Sequence, residues 1–231
     1  MELVHLALAA LTWFGLHAGV AGSGLRHWLV GRFGDRAYRA GFSVASIASL
    51  WWLVVAYRAA PYQALWSTPQ ALFVVPLVVV PLALVLLAGA FTAPSPTAVG
   101  GEKLLDRAEP ARGVMRITRH PFLWSVVAWS VAHLAVNSDA ASQLFFASLG
   151  LTALRGTFDI DRKRRRSSPE AFARFEAVTS NVPFGAVVAG RTRLVLRELW
   201  LPLLLGLALA LGAVALHPHL FGTKAVPALN G

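Results

Sequence analysis

The chain has 231 residues, of which 56% are apolar and only 14% charged, with a mean hydropathy of +0.59, and this composition excludes an ordinary water-soluble globular domain. No cysteine is present, which excludes disulfides, thiolate zinc sites, cysteine-held iron–sulfur clusters and covalently attached haem. The formal charge of +10 falls in the segments between apolar runs, so it reads as membrane topology and not as a nucleic-acid-binding domain.

A helix needs about 20 apolar residues to cross the bilayer core. Runs of that kind lie near residues 3–24, 41–57, 71–91, 121–137, 139–156 and 199–217, the fifth being the weakest. The expected fold is therefore all-α: a single polytopic bundle of about six transmembrane helices spanning residues 1–231.

The first run has no basic stretch before it and no clear small-residue cleavage site after it, so it reads as a retained helix and not as a signal peptide. Its glycines, including the Gly15-x-x-x-Gly19 step, predict close approach of a neighbouring helix. In the third run, Pro76 and Pro81 each remove a backbone donor and predict kinks.

Nineteen lysines and arginines fall at the first, third and fifth connections, against Arg58 and Lys224 on the alternate set. By the positive-inside rule the long connections 92–120 and 157–198 are cytoplasmic and both termini lie outside. The third connection, with Ala93-Pro94-Ser95-Pro96 and Gly100-Gly101, reads as irregular. The fifth opens on Asp159-Ile160-Asp161 and a basic run suited to anionic headgroups, and Ser168-Pro169-Glu170 then begins a short helix through Phe172 and Phe175.

Ionisable side chains inside apolar spans are costly unless they face the bundle interior, so they mark candidate sites. His17 shares a helical face with Trp13, and His133 one with Trp129 and Ser130. Two neutral imidazoles from two helices are a suitable axial set for haem b, and a packed histidine satisfied by a backbone carbonyl is the plainer alternative for either. Arg119 and His120, just before Pro121, suit a helix cap or an anion site such as a headgroup, phosphate or propionate. Asn137-Ser138-Asp139 suits a capped outer turn. His5, His27, His217 and His219 read as interfacial residues.

The ordered set His17-Ala18-Gly19, Thr118-Arg119-His120-Pro121-Phe122-Leu123-Trp124, Ala128-Trp129 to His133-Leu134, Asn137-Ser138-Asp139 and Thr179 to Phe184 resembles the NnrU family from about residue 3 to about 195. That resemblance implies a bacterial inner-membrane protein of denitrification or nitric oxide metabolism, related to the zeta-carotene isomerases of plants and cyanobacteria. It further implies non-covalent haem b with His17 and His133 as iron ligands, Arg119 or His120 assisting at the cytoplasmic side, and a polyene substrate or a reductase complex as partner. Where the plant isomerase has a cysteine close before the second histidine, Ser130 stands one turn before His133, so ligand exchange at that point is not expected. An accessory role in reductase assembly is a second reading. A third is a methyltransferase, because Arg119-His120-Pro121 and the Phe172–Phe175 helix faintly resemble the isoprenylcysteine type.

Overall fold

The computed structural model describes residues 1–93, 95–98, 100–106 and 111–223, so Pro94 and Lys224 lie outside the described residues. Helices dominate: α1 (Glu2–Gly15), continued by a π-turn (Leu16–Ala21), α2 (Leu25–Phe33), α3 (Asp35–Ala59), α4 (Val74–Thr92), α5 (Pro121–Val136), α6 (Ala140–Ser167), α7 (Pro169–Val178), α8 (Gly185–Val188) and α9 (Trp200–Phe221). No strand is found among the described residues, only one isolated antiparallel bridge between Ala64 and Asp139. The all-α helical bundle expected from composition is what the chain forms.

Among the described residues, four helical segments are long and apolar enough to cross a membrane: Glu2–Ala21, Asp35–Ala59, Gln70–Thr92 and Trp200–Phe221. The other two expected spans are built differently. Helix α5 has 16 residues, about 24 Å at 1.5 Å per residue, a little short of a full hydrocarbon crossing. Helix α6 has 28 residues but turns charged from Arg155 onward, so its second half projects out of the apolar zone instead of ending near residue 156. Both are integral to the bundle, since α5 packs against α4 and α6, and α6 against α1.

Each end of the bundle follows from local chemistry. Pro121 occupies the first turn of α5, where its missing N–H costs nothing. Asp139 caps α6, its Oδ1 accepting from the Ser142 N–H at 2.9 Å, as the outer-turn reading expects. Of the two prolines in the third span, Pro76 falls in the first turn of α4, and only Pro81 interrupts the helix interior.

The glycine stripe of the first span needs correcting. Gly15 and Gly19 have nothing within 4 Å of an added Cβ, whereas a Cβ at Gly22 would collide with the Asp159 carboxylate of α6. The π-turn lengthens the repeat at this point, with the Gly22 N–H reaching back five residues to the His17 carbonyl at 3.1 Å, so the stripe does not stay on one contact face. Close helix approach occurs instead at Gly206, which sits against the Val85 backbone and lets α9 lie on α4.

Candidate functional site

Two parts of the fold bring chemistry-bearing residues together: a cavity among α1, α3, α4, α5 and α6, and a polar knot at the end of the bundle where α5 begins.

The cavity encloses about 790 Å³, and its wall is mainly apolar, including Phe42, Leu84, Leu87, Phe122, Leu123 and Val126. His17 lies on that wall within the π-turn, a helix form that recurs where a side chain must be re-aimed at a functional site. Its Nδ1 donates to the Trp13 carbonyl at 2.8 Å, and its ring packs 4.0 Å from the Trp13 ring and 5.4 Å, edge-on, from Phe42. Because a carbonyl only accepts, the Nδ1 tautomer is fixed, and Nε2 carries the lone pair that a metal takes.

His133 repeats the unit on α5. Its Nδ1 donates to the Trp129 carbonyl at 2.8 Å, its ring lies 4.7 Å from Trp129, and Phe146 of α6 stacks on it at 4.6 Å. Trp-x-x-x-His thus occurs twice, at 13–17 and 129–133, each histidine held by the carbonyl one turn back. The two differ in position. Trp129 borders the cavity, while His133, one turn on, is not on its wall and has its ring stacked on Phe146.

For an iron porphyrin, His17 supplies the right donor on an apolar wall, and His133 supplies the same fixed tautomer from a second helix. Both imidazoles have the donor chemistry the group needs, but of the two only His17 borders the cavity. Ser130, one turn before His133, is fully buried with no hydrogen-bond partner for its hydroxyl among the described residues, packed where α6 passes closely at Gly150.

The polar knot holds Arg119 and His120. Arg119 donates from Nε to both Asp161 oxygens at 3.0 and 3.1 Å, and from Nη2 to Asp161 at 2.7 Å and to Glu176 at 3.0 Å. His120 donates from Nε2 to Asp161 at 2.8 Å, and Asn181 Nδ2 donates to the same carboxylate at 3.2 Å. Burial works to raise the Asp161 pKa, but the hydrogen bonds and charges of His120 and Arg119 outweigh it and hold the carboxyl at about 2. The His120 pKa is lowered, chiefly by burial, against the pull of Asp161. His120 is therefore a neutral donor at the start of α5; it does not cap the helix with its side chain.

Two stretches far apart in sequence meet here. The Arg119 N–H donates to the Ser180 carbonyl at 2.9 Å, the Thr118 hydroxyl to the Asn181 carbonyl at 2.6 Å, and the Phe184 N–H to the Ile117 carbonyl at 2.7 Å. Neither Arg119 nor His120 borders the cavity; both are engaged within the protein. At that end the cavity is bordered instead by Arg26, Arg39, Arg155, Asp159, Lys163 and Arg164.

Sequence reasoning singled out His17, His133, Arg119 and His120 but missed Asp161, Glu176 and Asn181. The available signal was the spacing Thr157, Asp161, Arg164: one buried face of a continuing helix, with Arg162, Lys163, Arg165 and Arg166 off it. Among the described residues no group of three or more His, Cys, Asp or Glu forms an all-side-chain metal site.

Comparison with known proteins places this geometry in context. The family model described as NnrU protein matches residues 5–225. The chain is similar to the chloroplastic 15-cis-zeta-carotene isomerase of Arabidopsis thaliana, at 38% identity over 121 residues, 48% of this chain and 32% of that protein. It is similar also to the chloroplastic 15-cis-zeta-carotene isomerase of Zea mays, at 37% identity over 113 residues, 46% of this chain and 30% of that protein. The match thus spans less than a third of the length of these relatives. No solved structure matches.

Proposed function

The chain belongs to the NnrU family, and from that membership we propose that it is a multi-pass membrane isomerase that turns a cis double bond of a long apolar polyene to trans. The observation that carries the reading is the large apolar cavity with His17 on its wall, Nδ1 committed to Trp13 and Nε2 left for a ligand. The activity for which the plant relatives are named points the same way.

In this reading His17, and His133 if its ring turns toward the same space, would hold haem b without a covalent link, each imidazole oriented by its Trp carbonyl. When bound, a haem would supply one-electron redox chemistry at iron, suited to weakening a conjugated double bond. The protein's own residues do the rest. The aliphatic and aromatic wall of Leu84, Leu87, Phe122 and Leu123 binds the polyene by apolar contact and keeps water out. Trp13 and Trp129, both on the cavity wall, would restrict how the polyene lies. The reaction changes neither atoms nor oxidation state overall, so no proton donor or acceptor is required on the wall.

The charge distribution supports an orientation with the basic connections 92–120 and 157–198 at the cytoplasmic face of a bacterial inner membrane and both termini outside.

The test is the absorption spectrum of the detergent-purified protein, oxidised and reduced, beside His17→Ala and His133→Ala, together with the isomer ratio of a 15-cis polyene incubated with the reduced protein. A low-spin b-type spectrum altered in both variants, with trans product formed by the wild type alone, is the expected result. A haem-free protein that co-purifies with a reductase subunit would make it an accessory of denitrification or nitric oxide metabolism. Binding of S-adenosylmethionine, lost on changing Arg119 or His120, would make it a methyltransferase.

A further inference from the structure

The cavity is polarised along its length. Trp13, Leu50, Leu84, Trp129 and Leu149 line one part of it, whereas Arg26, Arg39, Arg155, Lys163 and Arg164 border the other, where the half-exposed Arg39 and Arg155 reach the surface and Asp159 is the one acidic side chain among the described lining residues. On α6 the change runs from Leu149 to Arg164, about 22 Å of helix at 1.5 Å per residue. His17 lies between the two ends, one turn beyond Trp13 and one turn before Ala21.

The cations at the mouth are arranged in two sets. Arg26 and Arg39 share Asp35, at 3.3 and 2.6 Å, and Arg155 and Arg162 share Asp159, at 3.2 and 3.5 Å. Two guanidinium groups on one carboxylate leave each set positive. One set comes from α2 and α3 and the other from α6, and the Asp159 carboxylate meets the backbone of the first span at Gly22. A positive mouth on an apolar cavity suits an amphiphile with an anionic end.

We propose that the mouth formed by Arg26, Arg39, Arg155 and Lys163 is an anion subsite, taking the carboxylate or phosphate end of the molecule whose apolar body fills the cavity. Two sources share that chemistry: the propionates of a haem, in which case the inference rests on the function proposed above, and the headgroup of an anionic membrane lipid. Arg119 is no substitute for these residues, because its planar fork is already filled by Asp161 and Glu176.

The test uses full-length protein in nanodiscs, wild type and the double variant Arg39→Gln/Arg155→Gln. Both side chains are about half exposed, at 49% and 47%, so their loss leaves the packed bundle intact, which circular dichroism verifies. In the first arm, haem and haem dimethyl ester are titrated and Kd is read from the Soret band. The free acid is expected to bind about tenfold tighter than the ester, and the gap is expected to close in the double variant. In the second arm, lipid retention is measured by native mass spectrometry in phosphatidylcholine with and without phosphatidylglycerol. Failure to bind either porphyrin, with phosphatidylglycerol retained by wild type and lost by the double variant, would keep the subsite, assign it to lipid and remove the haem reading. Equal binding of acid and ester with no headgroup preference, or discrimination that survives in the double variant, would overturn the subsite.

Discussion

Arg119 and Asp161 form a buried fork, with 7% and 3% of their side chains exposed, that ties the start of α5 to the charged half of α6. Such a pair adds little over a well-packed apolar alternative, yet removing one partner strands the other without water. Arg119→Ala is expected to cost about 3–5 kcal/mol, and Asp161→Ala to act in the same range because it strands both Arg119 and His120. Thermal unfolding in detergent reads both. A loss below about 1 kcal/mol would mean that solvent reaches the pair as it does at a surface ion pair.

The same knot sets a pH dependence. The folded-state pKa of His120 is depressed, so the unfolded chain takes up the proton more readily, and this contribution is complete above the ordinary value of 6.5 and declines as pH falls below it. The Asp161 pKa is also depressed, to about 2 from 3.8, so its contribution is present above 3.8 and is lost as pH falls towards 2. The midpoint of unfolding should therefore drop in two windows, below 6.5 and again below 3.8. His120→Gln should flatten the first and narrow the second, because the imidazole is one of the groups that hold Asp161 low. A wild-type profile flat from pH 7 to 5 would refute the His120 assignment.

Helix α9 rests on α4 at one point where no side chain fits. A Cβ at Gly206 would meet the Val85 backbone, which cannot give way as a flexible side chain can. Gly206→Val is expected to cost about 1–3 kcal/mol through forced separation of the helices. The matched change Gly212→Val, where nothing lies within 4 Å, should be near neutral. Equal losses at both positions would show helix propensity, not packing, at work.

These contrasts mark what could be read in advance. The long apolar runs fix the helical bundle, because lipid leaves the backbone few other ways to satisfy itself. His17 and His133 stood out because imidazoles within such runs are rare. The π-turn around His17 was illegible, since no residue there demands a fifth-residue hydrogen bond and the Gly15–Gly19 step suggested an ordinary contact face. Asp161 was hidden by its neighbours. Asp159 and the arginines after it read as a solvated connection, and only the tertiary pairing with Arg119 and His120 shows that α6 runs on to Ser167 with a buried face. Arg119 and His120 were selected for an anion, and the anion they meet is a carboxylate of the chain itself.

If the cavity is where the occupant lies, filling it should act without touching any histidine or cation. Ala153 of α6 borders the cavity and is 5% exposed, so Ala153→Phe places a ring in the space that a ligand needs. Leu151, two residues away on the same helix and 56% exposed, lies outside that wall, and Leu151→Phe serves as its control. Ala153→Phe should weaken binding of the haem or polyene by about tenfold or more, the equivalent of some 1.4 kcal/mol, while Leu151→Phe leaves it unchanged. Soret titration and polyene retention measure the two ligands separately. A loss confined to the polyene would place haem and substrate in different parts of the cavity, whereas unchanged binding of both would remove this cavity from the reaction and send the search to the lipid-facing surface of α5 and α6.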